Sequence, residues 1–264
     1  MAASASSPGV QPWTDAAETE IAGIATRYRR ASGLLMKTIM YFGGKAENLL
    51  ERLPDAAKDR IEEVTAQALH WSYDRAATLS DDPRMPRLGP WANRVAVTAT
   101  GAAGGFGGLP AALVELPVTV TTMFGAIRKV AVMHGFDPQD DEIRLECIRV
   151  FGSGGPLAED DGVETTFFGS RIAINGATVK AAISAVAPRF AAVIGQKLAS
   201  QTLPVLGAVA GAGVNYTFIS YYEEMAHVRF ALRRMALTLG PERVNAAFRA
   251  STARRPVRRR PPRS

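Results

Sequence analysis

VAVTATGAAGGFGGLPAALVELPVTVTTMFGAI, residues Val95–Ile127, is a run of 33 residues whose only charge is Glu115. It is long enough to cross a bilayer, for which about 20 apolar residues suffice. Six glycines, two prolines and five threonines nevertheless make it a poor continuous spanning helix. Gly104–Gly108 and Pro110 are expected to break it into two pieces, with Pro117 kinking the second, because proline removes a backbone donor and clashes with the preceding turn. A second run, Leu198–Tyr222, has no charge across 25 residues. In both runs glycines recur at helical spacing, in the i, i+4 pairs Gly101/Gly105, Gly104/Gly108 and Gly207/Gly211. That pattern lets helix backbones approach closely. Two readings are open: the segments pack against each other inside a soluble core, or they insert into or lie against a membrane.

Working outward, the sequence predicts helices almost everywhere else. Ala, Leu, Arg and Glu are abundant and period-2 alternation is nearly absent, which favours helix over strand. Residues 1–13 read as a flexible leader. Thr14 or Asp15 caps a first helix to about Leu53, broken near Gly43-Gly44, with Ile21, Ile24, Tyr28, Leu35, Ile39 and Phe42 near helical spacing. Pro54-Asp55 opens a second helix to about Leu79, and Ser80–Pro90 is a loop with three prolines. Asp137-Pro138 is a helix start, with a capping carboxylate before a proline, and that helix runs to about Phe151. Gly152–Gly162 reads as a loop. A further helix from Val163 to about Leu203 is interrupted near Pro188, and another from Pro204 runs to Met235. Gly240-Pro241 ends it, and a short helix precedes the C-terminal tail. The expected architecture is all-α, a single multi-helix domain over residues 14–250 with closely packed, Gly-rich apolar helices.

Charge is concentrated at one end. The chain of 264 residues carries a net charge of +6, and the tail 251–264 alone contributes six arginines and no acid. Arg254, Arg255, Arg258, Arg259 and Arg260, with Arg263, therefore hold the whole excess, and the rest of the chain is neutral. A Pro/Arg-rich segment lacks the apolar content to fold and reads as disordered. It serves solubility, or it draws the protein to anionic lipid at about 1 kcal/mol per basic residue near the surface. No basic face with interleaved aromatics supports specific nucleic-acid binding. An apolar fraction of 47% is too low for a polytopic membrane protein. One cysteine, Cys147, excludes an intramolecular disulfide and fits a reducing compartment. The N-terminus lacks the basic and apolar regions of a secretory signal. Together these place the protein on the cytoplasmic side, peripheral at the inner face of the membrane.

No catalytic constellation is visible. Glu115 is the exception among uncharged neighbours, and a buried carboxylate needs a partner. It pairs with an arginine or caps, or it is a proton-active or ligand-binding group with a raised pKa. Asn215 raises the same question in the second run, and His134 is a third candidate member of a buried polar site. Glu224 and His227 form one Glu-x-x-His, but a di-iron bundle needs two such motifs and further glutamates, so no metal is expected. Cys147 reads as a buried structural thiol, and Asp137, Asp140 and Asp141 as capping charges. Gly105-Phe106-Gly107 lacks the remaining positions of a nucleotide loop, and Ser153 lacks those of a nucleophile elbow. No cofactor is expected.

Three stretches in order, Gly101–Val120, Ala126–Phe151 and Thr202–Met235, resemble the bacterial EcsC family. The motif positions are Gly104, Gly105 and Gly108, then Glu115-Leu116-Pro117, His134-Gly135-Phe136-Asp137-Pro138, and Pro204, Gly207, Asn215 and Tyr216. The likeness covers roughly residues 45–240. Two positions depart from the family pattern: Glu115 stands where Asp is frequent, and His134 where Tyr is usual. The resemblance implies a helical domain, a founding member encoded alongside an ABC transporter, and no established activity. Two functions follow as expectations. The first is a non-enzymatic, membrane-associated accessory protein, its partners being anionic lipid or a membrane protein such as a transporter. The alternative is a hydrolase or lipid-ligand carrier with a buried polar site at Glu115 and Asn215.

Overall fold

The computed structural model describes residues 11–43, 54–79, 108–153, 176–201 and 208–253. They form seven helices and no strand: α1 (Asp15–Gly43), α2 (Asp55–Leu79), α3 (Gly108–Met133), α4 (Asp141–Phe151), α5 (Gly176–Gln201), α6 (Ala208–Leu239) and α7 (Pro241–Ala253). The all-α expectation holds. The Gly-rich stretch through Gly104 and Gly105, Pro204 and Gly207 of the expected helix start, and Arg254, Arg255, Arg258, Arg259 and Arg260 of the tail lie outside the described residues.

Local chemistry sets most helix ends. The backbone N–H of Ala17 donates to the Thr14 hydroxyl at 3.3 Å, which caps α1. Gly135 ends α3 with φ +82, and Gly240 ends α6 with φ +87, a region open to glycine but costly for other residues. Three expectations need correction. The cap of α4 is Asp140, whose carboxylate accepts from the Glu142 N–H at 2.8 Å. Asp137 instead accepts from the Gln139 N–H at 2.8 Å and closes the turn before it. Nor is α5 interrupted at Pro188, which lies inside it; Pro117 lies inside α3. The residues 251–253, assigned by sequence to the tail, complete α7.

The long helix α6 is the centre of the arrangement, packed against α1, α3, α4 and α7, while α2 packs on α3 and α5. The interior closes around an aromatic cluster from three helices. Phe151 of α4 lies 4.7 Å from Phe190 of α5 and 5.5 Å from Tyr222 of α6, and Phe190 and Tyr222 meet edge-on at 5.3 Å. All three are fully buried. Each such side chain contributes roughly 1.5–3 kcal/mol over an exposed one.

Inside this interior sits a charged cluster. Glu146 of α4 is completely buried and is held by Arg229 of α6 and Arg149 of α4, both at 2.5 Å. Arg233, one turn beyond Arg229, reaches Glu142 at 2.6 Å. Burial alone pushes the Glu146 carboxyl up, but Arg229, Arg149 and Arg233 more than offset it and hold it below the ordinary carboxylate range. Cys147 beside it is buried, and burial pushes its thiol up, so it is a packing residue without nucleophilic character. The cluster locks α4 to α6.

One face of α3 remains open. Val118, Thr122, Gly125, Lys129 and Val132 recur at helical spacing. Val118 is 55% exposed, Val132 54% and the adjoining Met133 69%, while a side chain added at Gly125 would meet nothing within 4 Å. Among the described residues, α3 is also the one helix long and apolar enough to cross a membrane, through Leu116–Met133, of which 56% is buried.

Candidate functional site

Three helices meet where α3 ends. The positive φ of Gly135 turns the chain after Met133 and leaves His134 as the last side chain of that turn. On α6, His227 faces it, with His134 Nε2 3.0 Å from His227 Nδ1. One imidazole donates and the other accepts, which needs the accepting ring neutral. Burial, reinforced by Arg27 and His134, pushes His227 down to about 4. Burial, with Arg234 and Arg27, lowers His134 as well. A proton added here would sit among arginines. His134 Nδ1 is itself buried without a hydrogen-bond partner among the described residues.

One turn before His227, Glu224 binds the Nε of Arg27 through one carboxylate oxygen and Arg27 Nη2 through the other at 3.2 Å. Arg234 reaches back to Glu20 at 2.6 Å. These two pairs set α1 antiparallel to α6. The Glu-x-x-His spacing noted in the sequence thus has its glutamate on an arginine and its histidine on a second histidine. No group of three or more His, Cys, Asp or Glu side chains able to hold a metal occurs among the described residues.

Beyond the Arg27–Glu224 pair, α1 and α6 part to leave a cleft of about 550 Å³. Arg27 and Arg30 stand on its α1 wall, and Tyr216, Ser220 and Glu224 on its α6 wall. Tyr216, a position of the family-like motif, is 46% exposed there. Tyr221 contributes to the wall and anchors it, donating its hydroxyl to the Ser153 carbonyl at 2.9 Å.

Of the three residues expected to form a buried polar site, the structure places His134 in this junction with His227. Glu115 lies in α3 and Asn215 in α6, and these two helices pack together. The side chains of Glu115 and Asn215 lie outside the described residues. Pro138, from the same motif, accepts from Arg128 at 3.2 Å and so ties the turn after Gly135 to α3.

A model of the EcsC protein family matches residues 45–235. The chain belongs to the EcsC family. No curated protein and no solved structure matches it. The matched residues of this EcsC-family protein take in α2, α3, α4, α5 and most of α6, and with them His134, His227 and the Glu146 cluster. Helix α1 precedes residue 45. The α1 wall of the cleft, with Arg27 and Arg30, is therefore added from outside the matched region.

The sequence missed Arg27, Glu224 and His227 as a group. Their one local signal is the Glu224–His227 spacing, which puts the two side chains on one face of α6. Arg27 and Glu224 stand 197 positions apart, and nothing in the periodicity of either helix announces the pair.

Proposed function

We propose that this EcsC-family protein is a non-enzymatic accessory protein that attaches peripherally to the inner face of the membrane and acts there with a membrane protein such as a transporter. The observation that carries this reading is the open face of α3. Its exposed members Val118, Val132 and Met133 stand in an apolar helix with Lys129 as the single charge on that face. Singly exposed apolar residues are ordinary, but apolar residues exposed at both ends of one helix face suit a helix lying in an interface. Lys129 suits such a helix, since a lysine stem buries its carbons and keeps its ammonium in the headgroups. The Arg-rich tail adds a second, electrostatic attraction, and stable attachment generally takes two signals. The transporter partnership rests on the family resemblance. The buried Cys147 and the neutral, mutually bonded histidines offer no activated nucleophile, which favours attachment over catalysis.

Flotation of the purified full chain with vesicles tests it, using neutral and anionic lipid at low and high salt. Flotation with anionic vesicles that persists at high salt is the expected result, because apolar burial is not screened. Absence of flotation in every condition overturns the proposal.

A further inference from the structure

Neither the membrane reading nor the histidine pair uses the cleft between α1 and α6. Its volume of about 550 Å³ lies within the range of about 300–1,000 Å³ typical of small-ligand sites. Its wall groups do not neutralise one another. Two arginines one turn apart, Arg27 and Arg30, face one carboxylate, Glu224, which Arg27 already holds. Arg30 is exposed and has no ion pair among the described residues, so a full positive charge is left for an incoming group. The Glu224 bonds to Nε and Nη2 fix the plane of the Arg27 guanidinium and leave its remaining donors for a second anion. Across the cleft, the Ser220 hydroxyl is buried with no hydrogen-bond partner among the described residues. Buried polar groups are normally partnered, and a ligand oxygen would supply what is missing.

An anion that meets two guanidinium groups and a hydroxyl needs several oxygens pointing in different directions. A phosphate ester has them, and a carboxylate has two in one plane. The exposed ring of Tyr216 forms an apolar wall on the same side, fit for the ester's organic substituent. We propose that the cleft between α1 and α6 is a binding site for a phosphate ester, with Arg30 and Arg27 on the phosphate oxygens, Ser220 donating its hydroxyl and Tyr216 covering the substituent. The ester is a soluble organophosphate or a lipid headgroup, which share this chemistry. The site does not depend on the protein's attachment to a membrane, because the tail and the open face of α3 take no part in it.

Isothermal titration of the full chain with two monomeric probes decides the matter. The probes are glycerol 3-phosphate and short-chain dihexanoyl phosphatidic acid, with hexanoylglycerol as the phosphate-free control. At least one phosphorylated probe is expected to bind at about 1 mM or tighter, while the control does not bind. R30Q, at an exposed position where folding is unaffected, should weaken binding about tenfold, the loss of one charge-assisted contact. S220A should weaken it by a smaller factor, and removal of residues 254–264 should leave it unchanged. Similar affinities for the two probes identify a soluble ester as the natural class. Preference for the lipid by about tenfold or more, lost in Y216A, identifies a headgroup. Failure of both phosphorylated probes to bind, or binding that is equally strong in R30Q and S220A, overturns the proposal.

Discussion

At the scale of single residues, the protein depends on groups held in one protonation state. His134 and His227 are neutral in the fold, and the same side chains in an unfolded chain titrate at the ordinary histidine value of 6.5, well above the value of about 4 for His227. A histidine lowered on folding contributes stability above its unfolded pKa and loses it as the pH falls. Between pH 6.5 and 4 the unfolded chain binds an extra proton at His227, so acidification destabilises the fold by at most about 1.4 kcal/mol per pH unit through that residue, and the lowered His134 acts in the same direction. Urea midpoints should drop steadily from pH 7 to 5. His227→Gln, which cannot titrate, should flatten that slope; an unchanged slope would show that the pair is not its source. Glu146 is the opposite case, a charge kept ionised. Glu146→Ala leaves Arg229 buried without its carboxylate and should cost about 3–5 kcal/mol by urea unfolding. Glu146→Gln, which keeps acceptor and shape, should lie between that variant and the wild type. A loss below about 1 kcal/mol for Glu146→Ala would mean that water replaces the carboxylate. Neither group is legible in the sequence. His134 and His227 are 93 positions apart, and Glu146 and Arg229 83, so each pairing exists only once the helices have packed.

At the scale of the helices, the sequence is most readable where a residue acts on its own backbone. Thr14, Pro54, Gly135 and the Gly240-Pro241 step end or begin helices as their local chemistry dictates. Reading fails where packing overrules propensity. Pro188 would break an isolated helix, yet α5 continues through it, because Ile183, Val186, Phe190 and Ile194 on both sides are buried against the core and offset the missing backbone bond. Asp137 and Asp140 are both suited to capping, and only the second lies where its carboxylate meets a free N–H in the first turn of α4, that of Glu142. The face of α3 that matters for the proposed function was partly visible as an uncharged run. Which side of it would be covered was not, because α2, α4 and α6 decide that. The membrane reading makes this face its contact surface. Val132→Glu, at an exposed position, should leave the helical content intact and abolish the salt-resistant part of vesicle flotation, since a carboxylate resists burial in the acyl boundary. Undiminished flotation at high salt would remove α3 from the interface.

At the scale of the whole molecule, the proposed attachment has two terms, which would act through different parts of the chain and respond differently to salt. The open face of α3 is apolar and indifferent to screening, whereas the tail 254–264 is purely electrostatic and falls away once the Debye length shrinks to about 3 Å at 1 M salt. Helix α7 ends at Ala253, and the guanidinium of Arg29 donates to the Ser251 carbonyl at 2.7 Å. Truncation after Ala253 therefore removes six arginines without touching a described contact, and the melting temperature should not change. Binding to anionic vesicles at low salt should weaken, by up to about 1 kcal/mol for each arginine near the surface, while the residue of binding at high salt stays the same. Equal affinity of the full and truncated chains across the salt series would show that the tail is no anchor. A truncation that also destroyed the high-salt binding would mean that the two terms are not separable, and that α3 alone does not hold the protein to the membrane.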